Sequence, residues 1–180
     1  GTLHLSARMC GAHRAEVIAA IRRRLAAGEP VRVVSTQLVE AGVDLDFPVV
    51  YRAMAGLDSI AQAAGRCNRE GNLPGKGRVV VFNPPKPSPS GLLRKAEDAA
   101  NIVLASSSGE PLALDNYRRY FDHFYSSVNS HDREGVMGLL TRHIKAHQGM
   151  FVIQFRTAAQ KFRLIADEGQ RPVFVRWGEG

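Results

Sequence analysis

Short apolar runs and longer amphipathic stretches alternate along the first half of the chain. The short runs lie at 3–6, 31–34, 49–51 and 78–82, and the last three are rich in β-branched residues, as strands are. Apolar residues recur at helical spacing at 11–27, and the stretch 58–64 also fits a helix. The order strand, helix, strand, strand, helix, strand predicts an α/β fold with a mainly parallel sheet flanked by helices.

The first helix has one apolar face, and a stop signal follows it. Val17, Ile18, Ile21 and Leu25 fall on the same side, while a group of arginines falls largely on the other. Gly28 and a nearby proline end the helical pattern. The run at 78–82 is almost continuously apolar, which is typical of a strand buried in a parallel sheet, and we expect the strand ahead of Ser35 to be buried as well.

A proline-rich segment at 83–91 separates this half from the second, because its prolines allow neither helix nor sheet to continue. Helical spacing returns from Leu92 to Val103 and from Tyr117 to Val128, with a break at 106–111. A third helix at 133–146 and short strands at 151–153 and 172–175 complete the prediction of a helix-rich C-terminal extension. The predicted domains are 1–83, a linker at 84–91, connecting helices at 92–130 and a further domain at 131–180.

Composition narrows the function classes. The chain has 180 residues, of which 44% are hydrophobic and 23% charged, as in ordinary globular proteins. It has neither an apolar run long enough for a membrane span nor a signal-peptide pattern at its start, so we expect no membrane partner. Two distant cysteines, Cys10 and Cys67, cannot build a disulfide framework, which favours a reducing, cytoplasmic setting. The net charge of +7 favours a polyanionic partner, although these charges can equally be a solvated surface.

The first candidate site is the polar segment 35–46, which follows a predicted strand. Ligands of open α/β sheets bind beyond the carboxyl ends of the strands, where Ser35 and Thr36 can donate to phosphate oxygens and Asp44 can accept from a ribose hydroxyl. Gly42 would allow the backbone to approach a ligand closely. The alternative is a helix cap at Ser35 or Thr36, a short helix ending at Gly42, and Asp44 as a turn residue.

The second candidate site is the segment 62–69, which contains Gln62, Arg66 and Arg69. Two arginines three positions apart can share one helix face, and two guanidinium groups that converge bind phosphate strongly. An arginine supplied across an interface can also stabilise the charge that develops during phosphoryl transfer. The alternative is a pair of solvated surface arginines beside a glutamine on the helix surface.

Three further features have plainer interpretations. His143 and His147 are spaced for a metal on one helix face, but no carboxylates accompany them, and we assign no metal ligand. Cys67 fits a packed thiol better than a nucleophile. Four aromatic residues could stack on single-stranded bases, but their helical spacing favours a buried core; they are Tyr117, Tyr120, Phe121 and Phe124.

Residues 36–45 and 62–69 resemble motifs V and VI of superfamily 2 helicases, which belong to the second RecA-like domain of those enzymes. The resemblance implies that Ser35, Thr36 and Arg8 contact the nucleic-acid backbone. It implies contact with the nucleotide for Gly42, Asp44 and Gly65. It also implies that the ATP site is completed by Gln62, Arg66 and Arg69.

The strings at 5–10, 35–44 and 56–62 are similar to the CRISPR-associated helicase-nuclease of type I systems, and 155–165 resembles the start of its C-terminal accessory domain. This resemblance implies a parent enzyme that unwinds and degrades foreign DNA in antiviral defence. It further implies ATP with Mg²⁺ as cofactor. The implied partners are single-stranded DNA, a first RecA-like lobe and an HD-type nuclease domain of the same protein, and the Cascade surveillance complex.

The sequence departs from a complete helicase of that family. It has no Walker A loop, no DEAH-like acidic box for magnesium and no histidine and aspartate cluster of a nuclease. We therefore expect a C-terminal portion that begins near motif IV and does not hydrolyse ATP alone, because phosphoryl transfer needs the cleft between two lobes. The alternatives are a different superfamily 2 helicase acting on DNA or RNA, and a protein-interaction module without catalysis.

Overall fold

The computed structural model describes residues 1–40, 42–132, 134–141, 144–145, 151–162, 171 and 173–178. These residues form two compact units, one of residues 1–127 with 175–180 and one of residues 128–174. The first unit contains both candidate sites. The predicted domain boundaries divide the chain differently and stay a prediction.

The first unit begins with a parallel strand pair covered by one helix. Strand β1 (Thr2–Leu5) pairs with β2 (Arg32–Ser35), and helix α1 (Gly11–Ala26) connects them. The apolar face predicted for α1 packs against both strands in a core around Leu5 and Ile21, which are fully buried. Gly28 follows α1 with a φ of +66°, a conformation that side chains with a β-carbon resist, so it ends the helix as predicted.

A second parallel pair follows with the same connection. Strand β3 (Val49–Ala53) pairs with β4 (Arg78–Phe82), and helix α2 (Leu57–Ala64) lies between them in sequence. Helix α2 buries Leu57, Ile60 and Ala63, and its charged Asp58 lies in the first turn, where an anion is stabilised by the helix dipole. The α/β class and all six elements of the first half are therefore confirmed.

Two expectations about the sheet are wrong. The described strands form separate two-stranded pairs, with β1 beside β2 and β3 beside β4, instead of one continuous sheet. The strands at 31–34 and 78–82 are also less buried than predicted, since Val34 is 61% exposed and Phe82 is 46% exposed. Apolar runs mark strands that can be covered on both faces, but in this unit part of each pair remains uncovered.

Two long helices complete the first unit. Helices α3 (Leu92–Ala105) and α4 (Leu114–Ser126) pack against α2 around Tyr120, which is 1% exposed. The other three aromatic residues of the predicted set, Tyr117, Phe121 and Phe124, pack against the same cluster, so the core interpretation of this set is confirmed. Within α3, the buried Glu97 carboxylate accepts a hydrogen bond from the amide of Ser88 at 2.8 Å, which ties the proline-rich segment ahead of the helix to it.

The second unit is smaller and differs most from prediction. It contains α5 (Val136–Thr141), the antiparallel strands β5 (Ile144–Lys145) and β6 (Phe151–Val152), and α6 (Phe155–Lys161). Both carboxylate oxygens of Asp132 accept amides of the first turn of α5 and so begin that helix. The predicted helix at 133–146 is wrong beyond Thr141, where a strand follows. His143 and His147 lie outside the described residues. At 173–175, the described part of the last predicted strand, the chain forms no strand.

Candidate functional site

Polar groups collect where β1 and β2 end. The Thr36 amide donates to the Leu5 carbonyl at 3.1 Å, so the two carboxyl ends lie side by side. The Ser35 hydroxyl donates to the Thr36 carbonyl at 2.8 Å. Arg8 is exposed in the turn after β1, and its amide donates to the Ser6 hydroxyl at 3.2 Å. The three residues predicted to contact nucleic acid thus lie on two neighbouring strand ends.

The alternative for this segment was a helix capped by Ser35 or Thr36, and the structure has a short helical turn there but no side-chain cap. A single 3-10 turn, Gln37–Val39, follows Thr36, and neither Ser35 nor Thr36 supplies a side-chain cap to it. Gly42 has a φ of +80°, and a β-carbon there would meet no atom within 4 Å. Glycine at this position is therefore explained by backbone conformation, and the space around it is open.

A partly buried ion-pair network lies directly behind the 3-10 turn. Glu40 Oε1 pairs with Arg52 Nη2 at 2.8 Å, and the Ser59 hydroxyl donates to Glu40 Oε2 at 2.8 Å. Arg52 Nη2 also donates to Ser59 Oγ at 2.8 Å, whereas Arg52 Nε is buried without a partner. This network joins the end of the first candidate segment to β3 and α2.

The second candidate segment contacts the first through Arg66. Its guanidinium Nη2 donates to the main-chain carbonyl of Glu40 at 3.1 Å. Helix α2 has ended two residues earlier, at Ala64, with Gly65 as its C-cap at a φ of −65°. A β-carbon at Gly65 would make only ordinary contacts of 3.5 Å, so packing alone does not require glycine there.

Arg69 reaches the carboxylates at the end of the first segment. Its guanidinium pairs with Asp44, and its amide donates to Asp46 Oδ1 at 2.7 Å. Asn68, with a φ of +49°, turns the chain beside Phe47, to which its amide donates at 2.8 Å. The predicted shared helix face of the two arginines is therefore wrong, because α2 stops before either of them and a loop positions both.

Asp44, which we predicted to accept a hydrogen bond from a ribose hydroxyl, is paired with Arg69 in the structure. The side chains are 63% and 43% exposed, and an ion pair this exposed contributes about 1 kcal/mol or less. A guanidinium also has five donors, so the contact with Asp44 leaves most of them available. Both groups can therefore bind another ligand at small cost.

Gln62 lies on the exposed side of α2 and lines a cavity of about 430 Å³. Glu40, Asp58 and Ser59 line the same cavity. The carboxylates of this wall are acceptors, and the Gln62 amide offers both a donor and an acceptor to a ligand. Gln62 is thus accessible, although no described hydrogen bond joins it to either arginine.

The remaining candidates do not add a reactive group. Burial raises the pKa of the Cys67 thiol, whose sulfur contacts the carbonyls of Pro48 and Arg78 at 3.4 Å, as expected of a packed thiol. Within the described ranges, no group of three or more histidine, cysteine or acidic side chains could hold a metal ion. No described helix is long and apolar enough to span a membrane.

Sequence reasoning missed the residues that hold the site together. Glu40 and Arg52 form its least exposed ion pair, and Asp46 orients the backbone of Arg69. One signal was available for Arg52, because it follows three apolar residues within a strand and therefore needs a partner. Nothing in the spacing indicates that Glu40 is that partner.

Comparison with known proteins finds one family in this region. Residues 2–72 match the sequence model described as CRISPR-associated nuclease/helicase Cas3, C-terminal. A protein named CRISPR-associated nuclease/helicase Cas3 from Haloferax volcanii is 54% identical over 52 residues, which are 29% of this chain and 6% of that protein. The protein of the same name from Methanothermobacter thermautotrophicus is 24% identical over 168 residues, 90% of this chain and 20% of that protein.

Solved structures agree at the level of the fold. The crystal structure of T. fusca Cas3 with ATP matches with a TM-score of 0.53 and 22% identity, over 76% of this chain and 18% of that one. The crystal structure of T. fusca Cas3 with AMPPNP matches with a TM-score of 0.51 and 20% identity, over 70% of this chain and 17% of that one. The chain spans about a fifth or less of the length of these relatives.

Proposed function

Because residues 2–72 match the model of the C-terminal region of the CRISPR-associated nuclease/helicase, we propose that residues 1–83 are the second RecA-like lobe of an ATP-dependent single-stranded-DNA translocase. In this proposal the lobe supplies arginines to the ATP site and contacts to the DNA backbone. In the same proposal, residues 92–130 are connecting helices, and residues 131–180 are part of the C-terminal accessory domain of the same enzyme.

One observation carries the proposal: the two motif-like segments are joined to each other by both arginines. Arg66 contacts the Glu40 carbonyl, and Arg69 contacts Asp44 and Asp46. These contacts bring guanidinium groups beside the residues that follow β2, although the two segments are separate in sequence. A loop that presents two guanidinium groups to one segment suits phosphate better than it suits a neutral ligand.

The residues fit one side of a nucleotide-binding cleft. Arg69 is partly exposed and weakly paired, and the space around Gly42 is open. When bound, ATP supplies the phosphoryl group whose hydrolysis drives movement. We assign Arg66 and Arg69 to the γ-phosphate, and Gln62 completes the ATP site with them. Contact with the nucleotide is assigned to Gly42, Asp44 and Gly65.

A metal ion has no obvious ligand set in this lobe. In the part of the chain that the structure describes, no three or more histidine, cysteine, aspartate or glutamate side chains group together so that they could hold a metal ion. We therefore assign Mg²⁺ to the first RecA-like lobe and give this chain no role in holding it. Without that lobe, we expect the chain not to hydrolyse ATP.

The DNA side of the proposal rests on the adjoining ends of β1 and β2. Ser35 and Thr36 offer hydroxyl groups and Arg8 an exposed guanidinium, which are the groups that proteins commonly place on phosphate oxygens. Since these strand ends and the arginine loop belong to one compact unit, movement of the lobe on hydrolysis would move both contacts together. The parent enzyme would then couple translocation to an HD-type nuclease and to Cascade, in the cytoplasm.

The first experiment measures ATP hydrolysis with single-stranded DNA for this chain alone and mixed with the nucleotide-binding lobe. Activity in the mixture only would agree with a complementary second lobe. Activity of the chain alone would contradict an incomplete site. Silence in both, when the lobes demonstrably associate, would favour a protein-interaction module.

The second experiment tests the arginine in the intact enzyme. We expect Arg69→Ala to lower ATP turnover at least about 100-fold with DNA binding retained, because arginines at the transferred phosphate contribute this much or more. Arg94→Ala, which removes an exposed arginine of α3 paired with Asp98, is the matched control. Equal turnover in both variants would refute the assignment.

A third experiment tests the DNA contact. We expect Thr36→Ala to weaken the stimulation of ATP turnover by DNA. Normal stimulation by DNA in this variant would refute the contact.

A further inference from the structure

The last described residues return to the first unit and place a tryptophan on helix α1. Residues 175–180 belong to the first compact unit, although residues 128–174 form the second. The Trp177 indole stacks on the His13 imidazole, with ring centroids 3.7 Å apart and an angle of 13° between the ring planes. The two flat side chains therefore form one stacked pair at the start of α1.

The edge of the indole is held as well. Its Nε1 donates to the Glu16 carboxylate, at 3.1 Å from each of the two oxygens. Glu16 lies three residues after His13, so both contacts come from one face of α1. The indole N–H is the only hydrogen-bonding group of a tryptophan side chain, and here it has its acceptor. The rest of the ring is apolar and is fixed in orientation by two contacts.

Much of this fixed ring stays open to solvent. Trp177 is 40% exposed, although His13 covers one face of the indole and Glu16 lies at its N–H edge. The exposed surface therefore belongs to the opposite face and the remaining edge. A large aromatic surface held in one orientation suits a flat, aromatic ligand, because aromatic rings attract one another in offset stacks.

The stacked pair lies next to the strand end that we assign to DNA. Strand β1 ends at Leu5 and α1 begins at Gly11, so His13 lies only about 3 Å along the helix axis from the first helical residue. The turn between the two elements contains the exposed Arg8. Proteins bind single strands with this combination of groups, in which bases stack on aromatic rings and phosphates contact nearby cations.

The charges near the pair separate the place of a base from that of a phosphate. The Glu16 carboxylate at the edge of the indole repels a phosphate group. Cations occupy the neighbouring positions in sequence, Arg14 after His13 and Arg176 before Trp177. The uncharged base is therefore the part of a nucleotide that the ring can receive, with the phosphates directed to the arginines.

We propose that the stacked pair of Trp177 and His13 is a platform for one base of single-stranded DNA. The inference rests on the proposed DNA binding and adds a contact with a base, which the hydroxyl groups of Ser35 and Thr36 do not supply when they contact phosphates. Since every base has a face that can stack, we expect the platform to accept any sequence.

Tryptophan fluorescence tests the proposal directly, because Trp177 is the single tryptophan of the chain. The 180-residue chain is titrated with a single-stranded oligothymidylate and with an abasic strand of the same length, and binding is followed separately by the anisotropy of labelled strands. We expect the abasic strand to bind more weakly and only the oligothymidylate to quench Trp177. Binding of the oligothymidylate without quenching, or equal quenching by both strands when bound, would overturn the proposal.

ATP also carries a base, and a third titration separates the two sources. Equal quenching by ATP in the absence of DNA would assign the ring to the nucleotide and overturn the proposal. Failure of the chain to bind either strand would contradict the proposed DNA contacts as well as the platform. Binding without quenching would overturn the platform alone, so the two proposals fail in different ways.

Two variants of Trp177 separate stacking from a structural role of the side chain. Trp177→Leu keeps an apolar side chain and removes the ring, whereas Trp177→Phe keeps a ring and removes the hydrogen bond to Glu16. We expect Trp177→Leu to weaken the binding of oligothymidylate at least about fivefold and Trp177→Phe to retain most of the affinity. An equal loss in both variants would mean that the hydrogen bond, and not stacking, is what matters.

Two controls complete the test. Tyr51→Ala removes another exposed ring, on β3, and should leave the affinity for oligothymidylate unchanged. Arg8→Ala should lower the salt dependence of binding by about 0.7 in logarithmic slope, because each phosphate contact of a single strand contributes that amount. Trp177→Leu should leave this slope unchanged, because a base carries no charge. The same affinity in Trp177→Leu and Tyr51→Ala would refute the platform.

Discussion

Removing the Glu40 carboxylate should destabilise the first unit more than its single charge suggests. Glu40→Ala leaves Arg52 with only the Ser59 hydroxyl, although the side chains of Arg52 and Glu40 are only 20% and 11% exposed. Breaking a buried pair by removing one partner costs about 3–5 kcal/mol, and partial exposure places this pair at the lower end, about 3 kcal/mol. The main-chain carbonyl that contacts Arg66 is retained, so the variant tests the carboxylate alone.

Urea unfolding followed by circular dichroism measures this loss. With a urea dependence of about 2 kcal/mol per molar, a loss of about 3 kcal/mol lowers the midpoint by about 1.5 M. Asp98→Ala is the matched control, because its pair with Arg94 is exposed and joins residues four apart on one helix, which is worth about 0.5 kcal/mol or less. Equal midpoints for the two variants would refute the reasoning that burial makes the Glu40 pair important.

Two further predictions concern the buried hydroxyl of Tyr120, which donates to Asp58 at 2.7 Å. Burial is the main cause that raises the pKa of this phenol, and the Asp58 carboxylate is the second. As the pH rises above about 10, the phenol therefore ionises in the unfolded chain before it ionises in the folded one, and stability falls. We expect Tyr120→Phe to lower the free energy of unfolding by about 1.5 kcal/mol at pH 7. It should also remove part of the loss of stability at alkaline pH, which unfolding experiments between about pH 8 and 11 measure. The same slope of stability against pH in the variant and the original protein would contradict this prediction. In thermal unfolding, we expect Gly56→Ala to lower stability by at least about 1 kcal/mol, because its β-carbon would lie 2.5 Å from the Tyr120 hydroxyl. Gly65→Ala is the control and should not lower stability, because its β-carbon meets only contacts of 3.5 Å. Equal stability of the two variants would argue against this packing.

The local elements could be predicted from the sequence because their signals are local. Helix α1 has a complete apolar face from Val17 to Leu25, with Gly28 after it, and its observed end at Ala26 is one residue from the prediction. The strand at 78–82 is correct at both ends. The spacing of apolar residues and a residue that ends a helix act through neighbours in the chain, so the elements that they predict do not depend on tertiary contacts.

Tertiary features could not be predicted in the same way. An apolar run does not reveal whether a second layer covers both of its faces, and Val34 remains exposed for that reason. The contact between Asp44 and Arg69 joins residues far apart in sequence, and the loop that forms it depends on α2 ending at Ala64. Spacing alone allowed the two arginines to share one helix face, because neither Gly65 nor the left-handed Asn68 is an obligatory stop.

The two ion pairs of the site differ in a way that separates their chemistry. Glu40 and Arg52 are mostly buried and share Ser59, so an incoming anion would have to replace a desolvated carboxylate and would gain little. Asp44 and Arg69 are both well exposed, and opening their contact costs about 1 kcal/mol or less. A multiply charged phosphate forms more and stronger hydrogen bonds with a guanidinium than this pair does. The buried pair of Glu40 and Arg52 therefore fixes the backbone carbonyl to which Arg66 donates. The exposed pair of Asp44 and Arg69 is the one that a phosphate can displace.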